Sequence, residues 1–217
     1  MSDDLLLRQN VLDELDFRPD VDAASVGVSA EKGVVTLTGH VKSYAEKSAA
    51  VEATKALAGV VAVADEIEVR SEADYSNDDD DSIAQRAVNS LAWNTTIPRG
   101  AVKVTVDHGW ATLSGEVSWQ YQKSAAAEAL RTLYGILGVA NNITLKTQPQ
   151  PVDVRSRIQK AFERSAQLDS GAITFVISDG AVTLEGTVDS WAARERAENA
   201  VWSAAGVRNV VDNLVVQ

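Results

Sequence analysis

One stretch of this chain occurs three times in register. Gly180 to Gln217 reads GAVTLEGTVDSWAARERAENAVWSAAGVRNVVDNLVVQ. The same pattern runs GVVTLTGHVKSYAEKSAAVEATKALAGVVAVADEIEV from Gly33 and GWATLSGEVSWQYQKSAAAEALRTLYGILGVANNITL from Gly109. The copies lie 76 and then 71 residues apart, and each offset holds without a gap. Gly33, Gly109 and Gly180 therefore correspond, as do Gly39, Gly115 and Gly186, and Gly59, Gly135 and Gly206. Self-similarity of this kind makes each copy one structural unit, so the fold is a matter of what a single copy becomes. Three units of about 65–70 residues sit near the lower limit for a self-sufficient core. Contacts between the units are therefore expected to add stability.

Each copy opens with an amphipathic helix. Leu7, Val11, Leu12 and Leu15 form one apolar stripe, matched by Ile83, Ala87, Val88 and Leu91, and by Val154, Ile158 and Phe162. Asp81 with Ser82, and Pro151 with Asp153, are expected to start the second and third of these helices. A half-buried strand follows, with Val26, Val28 and Ala30 alternating with small or polar residues. Its equivalents are Val102, Val104 and Val106, then Ile173, Phe175 and Ile177. The glycine closing Glu31-Lys32-Gly33, Asp107-His108-Gly109 and Ser178-Asp179-Gly180 marks a tight hairpin. The return strand points Val35 and Leu37 inward, and Val34, Thr36 and Thr38 outward.

Gly39, Gly115 and Gly186 are expected to leave that strand for a second, alanine-rich helix carrying Ala50, Ala53, Thr54 and Leu57 or their equivalents. Gly59, Gly135 and Gly206 stand where that helix should end in a left-handed turn. A last strand carries Val63, Ile67 and Val69, or Val139, Ile143 and Leu145, or Val210, Leu214 and Val216. The predicted class is α+β: three tandem αββαβ two-layer sandwich domains, each a three-stranded mixed sheet with two helices on one face. A right-handed crossover makes the last strand parallel to the second. The expected divisions are domain 1 over 1–70, an acidic linker over 71–81, domain 2 over 82–146, a short proline linker over 147–151 and domain 3 over 152–217. The acidic linker is expected to be mobile and the proline linker stiff, so that copies two and three pair while copy one swings.

Charge and composition exclude several functions. There is no cysteine, hence no disulfide, thiolate metal site or thiol nucleophile. The net charge of −11 disfavours nucleic acid, which wants a basic face. The charge is uneven: residues 1–70 carry −6, residues 71–82 carry −6, residues 83–146 carry +3 and residues 147–217 carry −2. Only the middle copy has a positive balance. The start, MSDDLLLRQN, has acids where a secretory leader needs bases, so a cytoplasmic location is expected, or a periplasmic one if a leader was removed.

No catalytic set recurs. His40 and His108 occupy different repeat positions, and the Asp78–Asp81 run lacks the glycine and distal glutamate of a calcium loop. An enzyme is not expected, nor a cofactor or bound metal. Asp65, Asn141 and Asp212 recur as a polar residue within an apolar strand, where a local backbone hydrogen bond is the expected role and a cation ligand the alternative. Trp110, Trp119 and Trp202 align with Val34, Ser43 and Lys55 of copy one, positions that face water. They are expected to pack between repeats or to form an external binding surface.

The spacing of Gly180, Val182, Leu184, Gly186 and Val188, then Gly206, Val207, Val210, Asp212, Leu214 and Val216, resembles the BON domain, named for bacterial osmotically induced and nodulation proteins. Copies one and two match at the same positions, except for Ala111 where valine is usual and Trp119 where Ser43 and Ser190 stand. The resemblance implies the αββαβ fold and no enzymatic chemistry. It implies a non-enzymatic, stress-associated binding protein acting on phospholipid membranes or protein partners. A cation-responsive sensor of potassium or calcium is the alternative. The expected contact surface lies on the middle domain, at Lys103, Trp110, Trp119 and Lys123, where basic residues and amphipathic aromatics suit an anionic headgroup interface.

Overall fold

Helix α1 (Asp3–Phe17) buries Leu7, Val11 and Leu15 and leaves the flanking Leu5 and Leu6 in solvent. Its i, i+4, i+8 stripe lies on an antiparallel hairpin of β1 (Val26–Glu31) and β2 (Val34–Val41). Helix α2 (Tyr44–Lys55) then crosses over, so that β3 (Ala62–Val69) pairs parallel to β2 on its other side. The computed structural model describes residues 3–70, 79–146, 154–164, 172–178 and 180–216.

The unit repeats with the same register. The middle copy comprises α3 (Asp80–Trp93), β4 (Val102–Asp107), β5 (Trp110–Val117), α4 (Gln120–Arg131) and β6 (Gly138–Leu145). The third comprises α5 (Val154–Arg164), β7 (Ile173–Ser178), β8 (Ala181–Val188), α6 (Trp191–Trp202) and β9 (Asn209–Val216). Three separate three-stranded sheets result, each with its second strand in the centre, an antiparallel neighbour and a parallel one. The α+β architecture expected from the sequence, three αββαβ sandwiches with the last strand parallel to the second, is the one observed. Leu37, Leu113 and Leu184 are fully buried at the middle of the central strands, and Ala50, Ala126 and Ala197 are fully buried beneath them. Alanine at that position lets the second helix approach the sheet closely.

Some local readings change. The second strand does not end at Gly39, Gly115 and Gly186; it runs two residues further, with these glycines paired to Val26, Val102 and Ile173. Their φ values are +106°, +128° and +131°. A Cβ there would overlap the carbonyl oxygen of Ser25, Ala101 or Ala172 in the segment leading into the first strand. Only glycine admits that crossing. Gly59, Gly135 and Gly206 do take positive φ, yet the helix C-cap at Ala56 lies three residues before Gly59, so the glycine serves the turn rather than the cap. In the first stripe Leu12 is half-buried, and its equivalent Val88 is half exposed. Helix α3 starts at Asp80 with Asp79 as N-cap, whose carboxylate accepts the Ser82 N–H at 2.9 Å. Asp79, Asp80 and Asp81 thus belong to the helix end rather than to a spacer, and Asp81 with Ser82 is not the cap. The remainder of the acidic linker and the Pro151–Asp153 helix start lie outside the described residues.

Copy one does not stand apart. Tyr44, the first residue of α2, packs against the core of the middle copy. Arg131 of α4 pairs with Glu52 of α2. Trp191, the first residue of α6, packs against the cores of copies three and one and donates its indole N–H to Val61 O at 3.0 Å. Tyr44, Gln120 and Trp191 are the same repeat position, so the copies meet head to tail through the same surfaces. Such heterologous contacts close into a ring when the rotation allows. The expected contacts between units are thus present at these side chains.

The glycine crossing yields a stability test. Gly115→Ala combines positive-φ strain with a backbone clash and should lower unfolding free energy by about 2–4 kcal/mol in urea denaturation. Gly100 also has a positive φ (+73°, against +128° at Gly115) but open space around it, so Gly100→Ala should cost about 1 kcal/mol. Equal effects would contradict the crossing as the reason for glycine.

Candidate functional site

The four middle-domain residues expected to form one surface divide into two pairs. Lys103 and Trp110 share the outer face of the sheet, since Lys103 pairs with Ser114 and Trp110 with Asp107 on adjacent strands. Trp110 is 57% exposed, and its ring lies over Gly138 on the neighbouring strand, where a Cβ would strike the indole. An aromatic side chain covering a strand glycine shields exposed backbone. Trp119 and Lys123 belong to the helical layer instead, at the N-cap and first turn of α4. Trp119 and Trp202 line one cavity between copies two and three, whereas Trp110 stays on the wet face.

A groove that the sequence reading missed adjoins Lys103. It encloses about 850 Å³ between α3 and the edge strand β4, with Val88, Leu91, Trp93 and Val104 as apolar walls and Arg99 and Lys103 as bases. Trp93 is 86% exposed at the end of α3. Its signal was present in the repeat: Trp93 aligns with Phe17 and Arg164, Arg99 with Ala23 and Ser170, and Lys103 with Gly27 and Thr174. Only the middle copy combines an aromatic with both bases.

The recurring polar strand residues are satisfied within the fold. Asp65, Asn141 and Asp212 each accept a backbone N–H two residues on, at 3.1, 3.3 and 2.9 Å. Each also meets a basic residue of the second helix. Lys47 Nζ reaches Asp65 at 3.1 Å, and Arg194 Nε donates to Asp212 at 2.6 Å. In the middle copy Asn141 donates to the Lys123 carbonyl at 2.8 Å. Asparagine removes the carboxylate there, which leaves the Lys123 ammonium without that counter-charge.

A second recurring device holds the hairpin turns. Lys32 and Gly33, and His108 and Gly109, both take positive φ, the signature of a two-residue turn matched to strand twist. Asp4 accepts the Gly33 N–H at 3.1 Å, and Asp80, its equivalent, accepts those of His108 and Gly109 at 2.8 and 3.0 Å. Backbone N–H donation holds both carboxyls below the usual carboxylate range. The His108 imidazole is raised by its hydrogen bond to Asp107 at 2.7 Å. Asp80, Asp107 and His108 form the one group of potential metal donors among the described residues. Both Asp80 oxygens are committed to the turn, so the cluster has a structural occupation already.

At the N-terminus of the second helix, Ser43 and Ser190 accept the N–H three residues on, at 3.2 and 3.1 Å. Trp119 cannot do so. Gln122 compensates in part by accepting the Ser118 and Trp119 N–H groups at 3.0 and 3.1 Å. Losing a hydroxyl N-cap ordinarily costs about 1 kcal/mol, so tryptophan here is not explained by helix stability.

The turn device predicts a pH dependence. A carboxyl with a lowered folded pKa stabilises fully above its unfolded value of about 4 and loses that contribution as pH falls through the folded value. Asp80→Ala should therefore speed amide exchange at His108 and Gly109 at pH 7, with the difference vanishing near pH 2. An unchanged exchange rate at pH 7 would remove the device.

Comparison with known proteins agrees with this geometry. The BON domain family model matches residues 3–71, 79–147 and 152–217. Osmotically-inducible protein Y of Escherichia coli (strain K12) is 28% identical over 149 residues, covering 66% of this chain and 73% of that protein. Among solved structures, CdsD, a structural protein of the type III secretion system of Chlamydia trachomatis, is 19% identical, with 99% of this chain and 92% of that chain covered. Its TM-score is 0.26, too low to carry any argument. With the family model matching three times over nearly the whole length, the chain belongs to the BON domain family.

Proposed function

We propose that the protein is a non-enzymatic, stress-associated binding protein whose middle domain rests on anionic phospholipid. Stress association follows from the likeness to a protein named as osmotically inducible. The observation carrying the lipid reading is the α3–β4 groove: an exposed tryptophan at the rim, apolar walls, and Arg99 and Lys103 beside it. Amphipathic aromatics favour the headgroup boundary, and each base near an anionic surface contributes about 1 kcal/mol. A few such bases give weak, salt-sensitive attachment. Trp110 and Lys123 lie on the same domain without joining the groove. Both histidines are exposed, and His108 bonds to Asp107. The cation-sensor alternative has less support, because the grouped donors are committed to a hairpin turn.

Flotation of the full chain with vesicles tests this reading. Binding to phosphatidylglycerol vesicles should exceed binding to phosphatidylcholine vesicles and fall as salt rises. Lys103→Glu reverses one charge and should weaken binding about thirty-fold, and Trp93→Ala should weaken it further. Equal binding to both vesicle types, or to the variant and the parent, would remove the groove as the contact.

A further inference from the structure

The three head-to-tail seams are lined differently. At the first, Tyr44 of α2 packs against the middle copy's core and lines a cavity of about 410 Å³ whose walls carry the charged Lys47, Glu52, Glu128 and Arg131. At the seam between copies three and one, Trp191 packs against both cores and is anchored through Val61. The equivalent residue at the remaining seam is Gln120. A cavity of about 600 Å³ lies there, between the first turn of α4 and the last turn of α6.

Trp119, Tyr121 and Trp202 line this cavity together with Gln120, Ser124 and Asn199. Trp119 and Tyr121 are stacked, with ring centroids 6.5 Å apart and planes 23° from parallel. Trp202 is held in place by its N–H bond to Glu198 at 3.0 Å. The Gln120, Ser124 and Asn199 side chains make no hydrogen bond to any described residue. Aromatic faces, spare amide and hydroxyl groups and no charged side chain in the lining thus converge on one volume, within the ordinary range for a small-molecule site.

We propose that this cavity binds a neutral saccharide. A pyranose ring offers an apolar C–H face that lies on the electron-rich face of an indole, and an edge of hydroxyls that pair with amides and serine. A charged ligand would find no counter-charge in the lining. A purely apolar one would strand the three polar side chains, which costs binding energy. Tryptophan at position 119, where the sister copies gain a helix cap from serine, agrees with a role other than folding.

The sister copies also supply test variants suited to these positions: Trp119→Ser, as at Ser43 and Ser190, and Trp202→Lys, as at Lys55. Calorimetric titration of the full chain with maltose and with a β-1,4-linked N-acetylglucosamine trimer should show saturable binding of at least one. Comparable affinity for both marks a free sugar as the ligand, and preference for the trimer marks a glycan polymer. Each variant should lose at least ten-fold in affinity, with the melting temperature unchanged or, for Trp119→Ser, raised. Asn199→Ala, altering an exposed rim residue, should lose several-fold. The proposal is overturned if neither sugar binds, if the variants bind as the parent does, or if stability falls while affinity stays.

Discussion

In each copy the chain leading into the first strand passes so close to the central strand that no side chain fits between them. Gly39, Gly115 and Gly186 admit that passage. The central strand pairs on both sides, so displacement there would move the antiparallel hairpin and the parallel strand together. The second helix also rests on that strand through alanine, and any shift would open the layer beneath Leu37, Leu113 and Leu184. The packing of the two layers therefore depends on one backbone crossing.

Once the fold is made, the same surfaces are used again to join the copies. The first turn of each second helix faces the next copy, carrying Tyr44, Gln120 or Trp191 in turn. Aromatic residues stand at two of these positions and a glutamine at the third. The copies differ where the crossing and the core are untouched. The middle copy carries Asn141 in place of a carboxylate, Trp119 in place of a cap, and the Trp93–Arg99–Lys103 combination.

Much of this was legible in the residues. Period-two alternation located every strand, and the glycine register showed three equivalent units, because inward positions and positive-φ turns restrict residue type sharply. The end of the second strand was misread because a glycine after alternating valines looks like a strand end, whereas here it marks a close crossing within the strand. The α3 cap was misplaced because four consecutive aspartates offer the same cap chemistry at each position. The Asp4 and Asp80 turn clamps, and the Lys47, Lys123 and Arg194 partners, each stand at one repeat position and so left a signal in the aligned copies. The groove was missed because its walls come from a helix end and an edge strand separated by a loop, with no periodicity to link them. Trp119 and Trp202 each stand out in the sequence as aromatics at water-facing positions, but only the arrangement of copies two and three brings them to one cavity.

The central claim is that the middle copy has become the contact domain while its sisters have kept to structure. Hydrogen–deuterium exchange of the full chain, with and without phosphatidylglycerol vesicles, reads this directly. Protection should appear over residues 88–105 and be absent from the equivalent segments 12–29 and 159–176. Equal protection in all three copies, or protection confined to the first or third, would contradict it.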